Sequence, residues 1–335
     1  MFDTQAIATM EEFRCTAARV RNWGRWGDDD ELGTLNFITP AKLREAAACV
    51  RQGKLFALGA DFDAQGPQGA AAPFRGNPIH LMTIDGGDAA AYAETVRGWG
   101  HEAAEFIGHL FDCGPMRFND DYVIMPLQAA TQWDALSHVY YDERLYNGYP
   151  ASAVTSFGAT KCSIDKVDAK GVTSRGVLLD VARHRGGDVA DPATAITPSE
   201  LEAVASKQGV ELRSGDVLVV RTGWYGGFHT TPRNRAMLAA GLSWTCAEWM
   251  HGLEIAAVAA DNIAVEHGGP EVDCAFLPMH MLCLRDMGMM LGEIWDLDAL
   301  AADCADDGVY EFHLTAAPLR VTGAVGSPLN PIALK

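Results

Sequence analysis

The sequence predicts an α/β fold, a mixed sheet flanked by helices. Three observations carry this: helix-start signals recur, a short apolar run follows one of them directly, and strand candidates extend from the first quarter to the tail. Thr39-Pro40 supplies an N-cap and a first-turn proline, and good helix formers run from Ala41 to Gln52 before Gly53. Ile79 to Ile84, Tyr122 to Met125 and Val177 to Val181 read as strands. Thr197-Pro198-Ser199-Glu200 is a capping box that opens a helix through Lys207, and Gly209 stops it ahead of a short buried strand from Asp216 to Arg221. Ile255 to Ala260 is a further strand, Leu297 to Ala305 a helix, and Tyr310 to Val321 alternates enough to add more strand. Asp85-Gly86-Gly87-Asp88 and Trp224-Tyr225-Gly226-Gly227 read as turns. Several strands stand at hairpin-like spacing, which a purely parallel, doubly wound sheet does not accommodate.

With 335 residues, 48% of them hydrophobic and 21% charged, the chain can bury a sizeable core, and no linker or composition shift divides it. No fixed-period repeat points to a solenoid. A formal charge of -18 repels phosphate backbones and anionic lipid, so nucleic acid is excluded as a partner. The longest apolar runs are too short to cross a bilayer, and Met1-Phe2-Asp3-Thr4 does not open a signal sequence, so a cytoplasmic protein with no membrane partner is expected. Eight cysteines without a C-x-x-C pair read as reduced, mostly buried thiols.

The chemistry concentrates in Leu127-Gln128-Ala129-Ala130-Thr131-Gln132-Trp133-Asp134-Ala135-Leu136-Ser137-His138. Read as extended chain, Gln128, Gln132, Asp134 and His138 share one face. For one histidine beside one aspartate, a solvated polar row is the ordinary explanation. Here Trp133, Tyr140, Tyr141, Tyr146 and Tyr149 crowd the same segment and favour an aromatic-lined cleft over that explanation, with an aromatic core patch as the alternative. There is no nucleophile elbow, Walker loop, dinucleotide fingerprint or H-E-x-x-H.

The segment resembles the signature H-x-G-T-H-x-D-x-x-x-H of the cyclase family, which includes bacterial kynurenine formamidases and isatin hydrolases. Thr131, Asp134 and His138 stand in its places, Gln128 and Gln132 replace its first two histidines, and Ala130 replaces its glycine. Asn22 to Gly27 with Gly33-Thr34-Leu35-Asn36, then Arg221-Thr222-Gly223-Trp224, Ala259 to Asn262, Pro278-Met279-His280 and Leu291-Gly292-Glu293 follow in the family's order, so the resemblance covers nearly the whole chain. It implies a swivelling β/β/α fold in a single cyclase-like domain over 1–335, with 1–60 as an extension packing on the core, assembled as a homodimer or homotetramer. It also implies Asp134, His280 and Glu293 as metal ligands, with Gln128 and Gln132 in the remaining ligand places. His138 takes the proton-transfer role with Thr131 beside it, and Trp133, Tyr140 and Trp224 are candidates to meet the substrate.

A glutamine offers only a neutral amide oxygen, which binds zinc weakly and suits harder cations. The expected cofactor is therefore one divalent metal, manganese or zinc with magnesium as a further candidate. His280 lies among Met279, Met281, Leu282 and Cys283, where a lone histidine is ordinarily a core residue, and only the family order raises it to a ligand. His267 is read as part of a turn and Met287, Met289 and Met290 as core. The expected activity is hydrolysis of an amide, lactam or lactone of a small aromatic molecule. Two alternatives are a lyase or cyclising enzyme using His138 and Asp134 with weak or no metal, and a non-catalytic small-molecule binder.

Overall fold

A computed structural model describes residues 7–68, 75–85, 102, 105, 106, 109, 113–169, 171–230 and 239–335. In chain order its strands are β1 (Leu55–Ala57), β2 (Ile79–Ile84), β3 (Asp120–Ile124), β4 (Gln132–Asp134), β5 (Val154–Thr155), β6 (Gly158–Ala159), β7 (Thr173–Asp180), β8 (Val217–Arg221), β9 (Ala257–Ala260), β10 (Met290–Glu293), β11 (Glu311–Thr315), β12 (Gly326–Pro328) and β13 (Ile332–Leu334). Among the described residues, one nine-stranded sheet runs β1, β13, β11, β7, β8, β9, β10, β4, β12. Its four central strands, β7 to β10, are parallel. Both flanks are antiparallel. This is the mixed sheet expected from the sequence. Val177 to Leu179, Val217 to Val220 and Ala257 to Ala260 are fully buried, as parallel strands covered on both faces require.

The flanking helices include α1 (Met10–Val20), α2 (Pro40–Ala47), α3 (Pro198–Gln208), α4 (Trp224–Thr230), α5 (Cys246–Gly252) and α6 (Asp298–Asp307). α1 was not expected, although Thr9 and Glu12 close a reciprocal capping box and Phe13, Ala17 and Val20 bury one face. α3 begins at Pro198 behind the Thr197 cap and ends on left-handed Gly209, as expected. α2 stops five residues short of Gln52. The backbone N–H groups of Gln52, Gly53 and Lys54 all donate to the carbonyl of Lys335, so the tail draws this stretch into the sheet.

Ile79 to Ile84 forms a strand as expected and Tyr122 to Ile124 does too, with Met125 just beyond β3, but among the described residues β2 and β3 pair only with each other, outside the main sheet. The turn expected at Asp85 to Asp88 lies outside the described residues from position 86 onward. Trp224 to Gly227 is not a turn but the start of α4. Thr222 causes the change: its hydroxyl accepts from the Trp224 N–H, while Asp261 at the end of β9 accepts from Thr222 N and Gly223 N. Gly223 has φ +78°, and a Cβ there would lie 1.8 Å from the Asp188 carbonyl oxygen, so only glycine makes this corner.

Among the described residues no helix is long and apolar enough to cross a membrane. Cys49, Cys162, Cys246, Cys283 and Cys304 are buried, and all eight cysteines are free.

Candidate metal and active site

β4 is three residues long and lies between β10 and β12, both antiparallel to it. Its register sets Asp134 opposite Leu291 and Gln132 opposite Glu293. Facing residues in a ladder share a side, so Gln132, Asp134 and Glu293 project together and Trp133 projects through the other face. The extended run expected over 128–138 is thus confined to 132–134. Gln128 and His138 arrive by turns instead, closed by Ala129 N to Pro126 O and by His138 N to Ala135 O at 2.9 Å.

His280 enters from a separate element. Pro278–His280 begins a helical segment that continues as a π-helix, Met281–Met287. The opening segment of the chain clamps it: Asn22 Nδ2 donates to Met287 O, Trp23 Nε1 donates to Arg285 O, and the Arg285 guanidinium lies 4.5 Å from the Trp23 ring. His280 Nε2 then sits 3.2 Å from Glu293 Oε1 and 3.7 Å from Asp134 Oδ2.

Asp134, His280 and Glu293 are all buried, and one potential ligand atom from each lies within 4.8 Å of the others. A metal with arms of about 2.1 Å in a tetrahedral site holds its donors about 3.4 Å apart, close to these separations. Among the described residues, neither oxygen of Asp134 has a hydrogen-bond partner, and nor does Gln132 Oε1. Buried acceptors left unclaimed beside a second carboxylate are costly unless a cation meets them, so the residues present fit a divalent metal. Gln132 Nε2 donates to Glu293 Oε2, so Gln132 both steadies a ligand and offers its own oxygen. The set is two carboxylates, one imidazole and one amide oxygen, and the amide adds less zinc affinity than an imidazole would.

Burial pushes the Asp134 carboxyl up to about 6, with Glu293 adding to the rise and His138, His280 and Arg75 opposing it. Burial also lowers His138, against the pull of Asp134, which keeps this imidazole neutral near pH 7. His138 Nε2 stands 3.7 Å from Asp134 Oδ1 and its side chain is only 18% exposed. A neutral imidazole here can take a proton from a group held beside the triad. For His280 burial opposes charge, but contact with Glu266 and then Glu293 outweighs it and raises the ring to about 10.

The remaining candidates divide. Gln128 does not join the carboxylate cluster directly: its Nε2 is buried above Gly326, where a Cβ would come within 2.5 Å of it, and has no partner among the described residues. Gly326 faces Asp134 across the ladder, so the Gln128 amide lies on the same side of the sheet as the triad. Thr131 is not available for catalysis, because its hydroxyl donates to Ile294 O and accepts from Ala60 N. Trp133 cannot line the cleft. It is fully buried on the opposite face, donating Nε1 to Ala316 O and meeting Trp295 edge-on at 5.2 Å. Tyr140 is exposed beyond His138. Trp224 packs in a small apolar cluster with Ile294, next to Glu293 in sequence. Tyr141 and Tyr146 donate to Asp286 and Asp30, which makes them structural. His267 bonds Pro192 O and Gly269 N and keeps the turn assigned to it.

Two residues escaped the sequence reading. Arg75 is the cation whose field reaches both Asp134 and His138. Glu266, fully buried, contacts His280 Nδ1. A glutamate a few residues after an apolar strand is the one local signal for Glu266. Arg75 has no local pattern to give it away.

The Cyclase family model matches residues 83–267, more than half of the chain. The chain belongs to the cyclase family. A crystal structure of a novel cyclase is 43% identical, with a TM-score of 0.81, covering 94% of this chain and 100% of that one. Isatin hydrolase A from Ralstonia solanacearum shares the cyclase fold at 17% identity, with a TM-score of 0.59 and coverage of 89% and 98%. Isatin hydrolase A from Labrenzia aggregata, bound to benzyl benzoate, does so at 15% identity, with a TM-score of 0.56 and coverage of 86% and 94%. No curated protein matches this chain in sequence.

Proposed function

We propose that this member of the cyclase family is a metal-dependent hydrolase that opens an amide, lactam or lactone bond of a small aromatic substrate, with His138 as general base. One observation carries the reading: Asp134, His280 and Glu293 converge in a buried site, both Asp134 oxygens are unclaimed, and a neutral His138 stands 3.7 Å away. A divalent cation held there would supply Lewis acidity for a carbonyl or a water. Asp134, His280 and Glu293 would hold it, with the Gln132 oxygen as a weaker fourth donor. His138 would receive the proton released when the nucleophile attacks and return it to the leaving nitrogen or oxygen at Nε2. The Gln128 Nε2 donor would bind a substrate oxygen on the β12 side. Tyr140 and Trp224 are the aromatic groups left for the ring of the substrate, and the isatin hydrolases, alike in fold, act on a molecule of this kind by name.

A second reading, a lyase or cyclising enzyme, draws on Gln128 and Gln132 standing where imidazole ligands would strengthen a metal. Asp134 would then orient His138, and His138 as general base would take a proton from the substrate and return it to the leaving group.

The test is metal content by inductively coupled plasma mass spectrometry on protein purified without chelator, beside Asp134→Ala, followed by a panel of aromatic amides, lactams and lactones. About one ion per chain, lost in the variant, together with hydrolysis of a panel member, is expected. No stoichiometric metal in the native chain overturns the hydrolase reading. Turnover that survives Glu293→Gln but not His138→Ala selects the second one.

A further inference from the structure

We infer that Glu266 is a positioning residue, which fixes the ring of His280 so that its Nε2 lone pair, and not Nδ1, faces Asp134 and Glu293. The inference rests on the metal reading of that site.

The backbone is built to deliver this carboxylate. After β9 the chain turns at Asn262, whose Oδ1 accepts from Val265 N and whose Nδ2 donates to Ala240 O at 2.7 Å. Val265 takes a left-handed φ of +57°, and Gly241 lets the two segments close, since a Cβ there would lie 2.2 Å from Glu266 O. Glu266 is 1% exposed and faces the start of the segment that carries His280. Its Oε2 accepts from Met279 N at 3.0 Å, and its Oε1 accepts from His280 N at 3.0 Å and contacts His280 Nδ1.

Three donors therefore converge on one carboxylate. A glutamine has a single acceptor oxygen and would turn its NH2 group toward one of those donors, so it cannot keep all three contacts. With Nδ1–H tied to Glu266, the only ring nitrogen that can meet a metal is Nε2, which points at Glu293 and Asp134. The adjacent negative charge also makes the imidazole a better donor, as in the carboxylate–histidine pairs that support many metal ligands. The backbone bonds to Met279 and His280 explain a structural glutamate, but they do not require the third contact to the ring.

The experiment compares native chain, Glu266→Gln and Glu266→Asp, with Asp134→Ala as the control for the metal site itself. Two readouts are taken: Mn2+ affinity, from the electron paramagnetic resonance of the free ion, and the Nδ1–H resonance of His280 by nitrogen-15 NMR in metal-free protein. Glu266→Gln is expected to stay folded by circular dichroism, lose the downfield Nδ1–H signal and bind Mn2+ about 10- to 100-fold more weakly. Glu266→Asp keeps the charge and should recover part of the affinity. Unchanged Mn2+ affinity in a folded Glu266→Gln, or a native Nδ1–H signal that does not depend on Glu266, overturns the inference. If Glu266→Gln unfolds, Glu266→Asp and the native Nδ1–H signal decide it in the same way. A native chain that keeps the Nδ1–H contact yet binds Mn2+ no better than Asp134→Ala overturns the metal reading and leaves the positioning contact standing.

Discussion

Raising the pH should tighten metal binding steeply, by an amount set by the proton on His280. In the metal-free site that ring holds its second proton up to about 10, on the nitrogen that a metal needs. Each ion bound must release this proton, so between about pH 6 and 8 the apparent affinity should rise about tenfold per unit, about a hundredfold in all. Asp134, pushed up to about 6, is half protonated at the lower end and adds a further factor of about two. The linked stability has the opposite slope. The folded value of His280 lies above the ordinary histidine value, so the stability it contributes is complete below about pH 6.5 and declines as pH rises toward about 10. Metal-free protein should therefore melt at progressively lower temperature across that window, while saturating Mn2+ removes the decline by taking the place of the proton. The assay is a Mn2+ titration at about three pH values, read from the free-ion spectrum, with thermal melts in parallel. Affinity that changes less than about tenfold between pH 6 and 8 would refute the argument, because it would mean that no proton leaves His280 when the ion binds.

Restoring imidazoles with Gln128→His plus Gln132→His should raise the zinc retained per chain, measured by mass spectrometry, since each change replaces an amide with a strong ligand. His138→Ala should abolish turnover while leaving Mn2+ content unchanged, which separates proton transfer from metal holding; loss of both would place His138 among the ligands. Trp133→Ala should cost about 3–5 kcal/mol of stability by thermal or denaturant melting, because it empties a fully buried site on the face opposite Asp134.

Much of the frame was legible because it rests on local rules. The Thr197 cap and Gly209 stop define α3 within a residue, and the apolar runs at 217–221 and 257–260 form the central parallel strands. What failed depended on distant partners. The polar residues of Gln128 to His138 alternate as in one strand, but only three residues of that run find ladder partners in β10 and β12. Trp133 is aromatic and near the signature, which suggests the cleft, although its parity with Asp134 sets the two on opposite faces. Thr131 has a hydroxyl in a signature position, and nothing local foretells that Ile294 and Ala60 claim it. Asp134, His280 and Glu293 were assembled from family order over 160 residues of sequence. Glu266 was passed over because its role appears only when the chain after β9 folds back behind His280.

The parity of β4 has a further consequence. Moving this strand one residue along β10 would turn Trp133 toward Glu293 and drive Gln132 and Asp134 into the apolar layer against Trp295. A mispaired chain would lose its packing and its chemistry in the same step. The large indole thus acts as a register pin for the carboxylate beside it. Substitutions at 133 should be filtered by what they do to neighbouring positions as strictly as by what they do to the core.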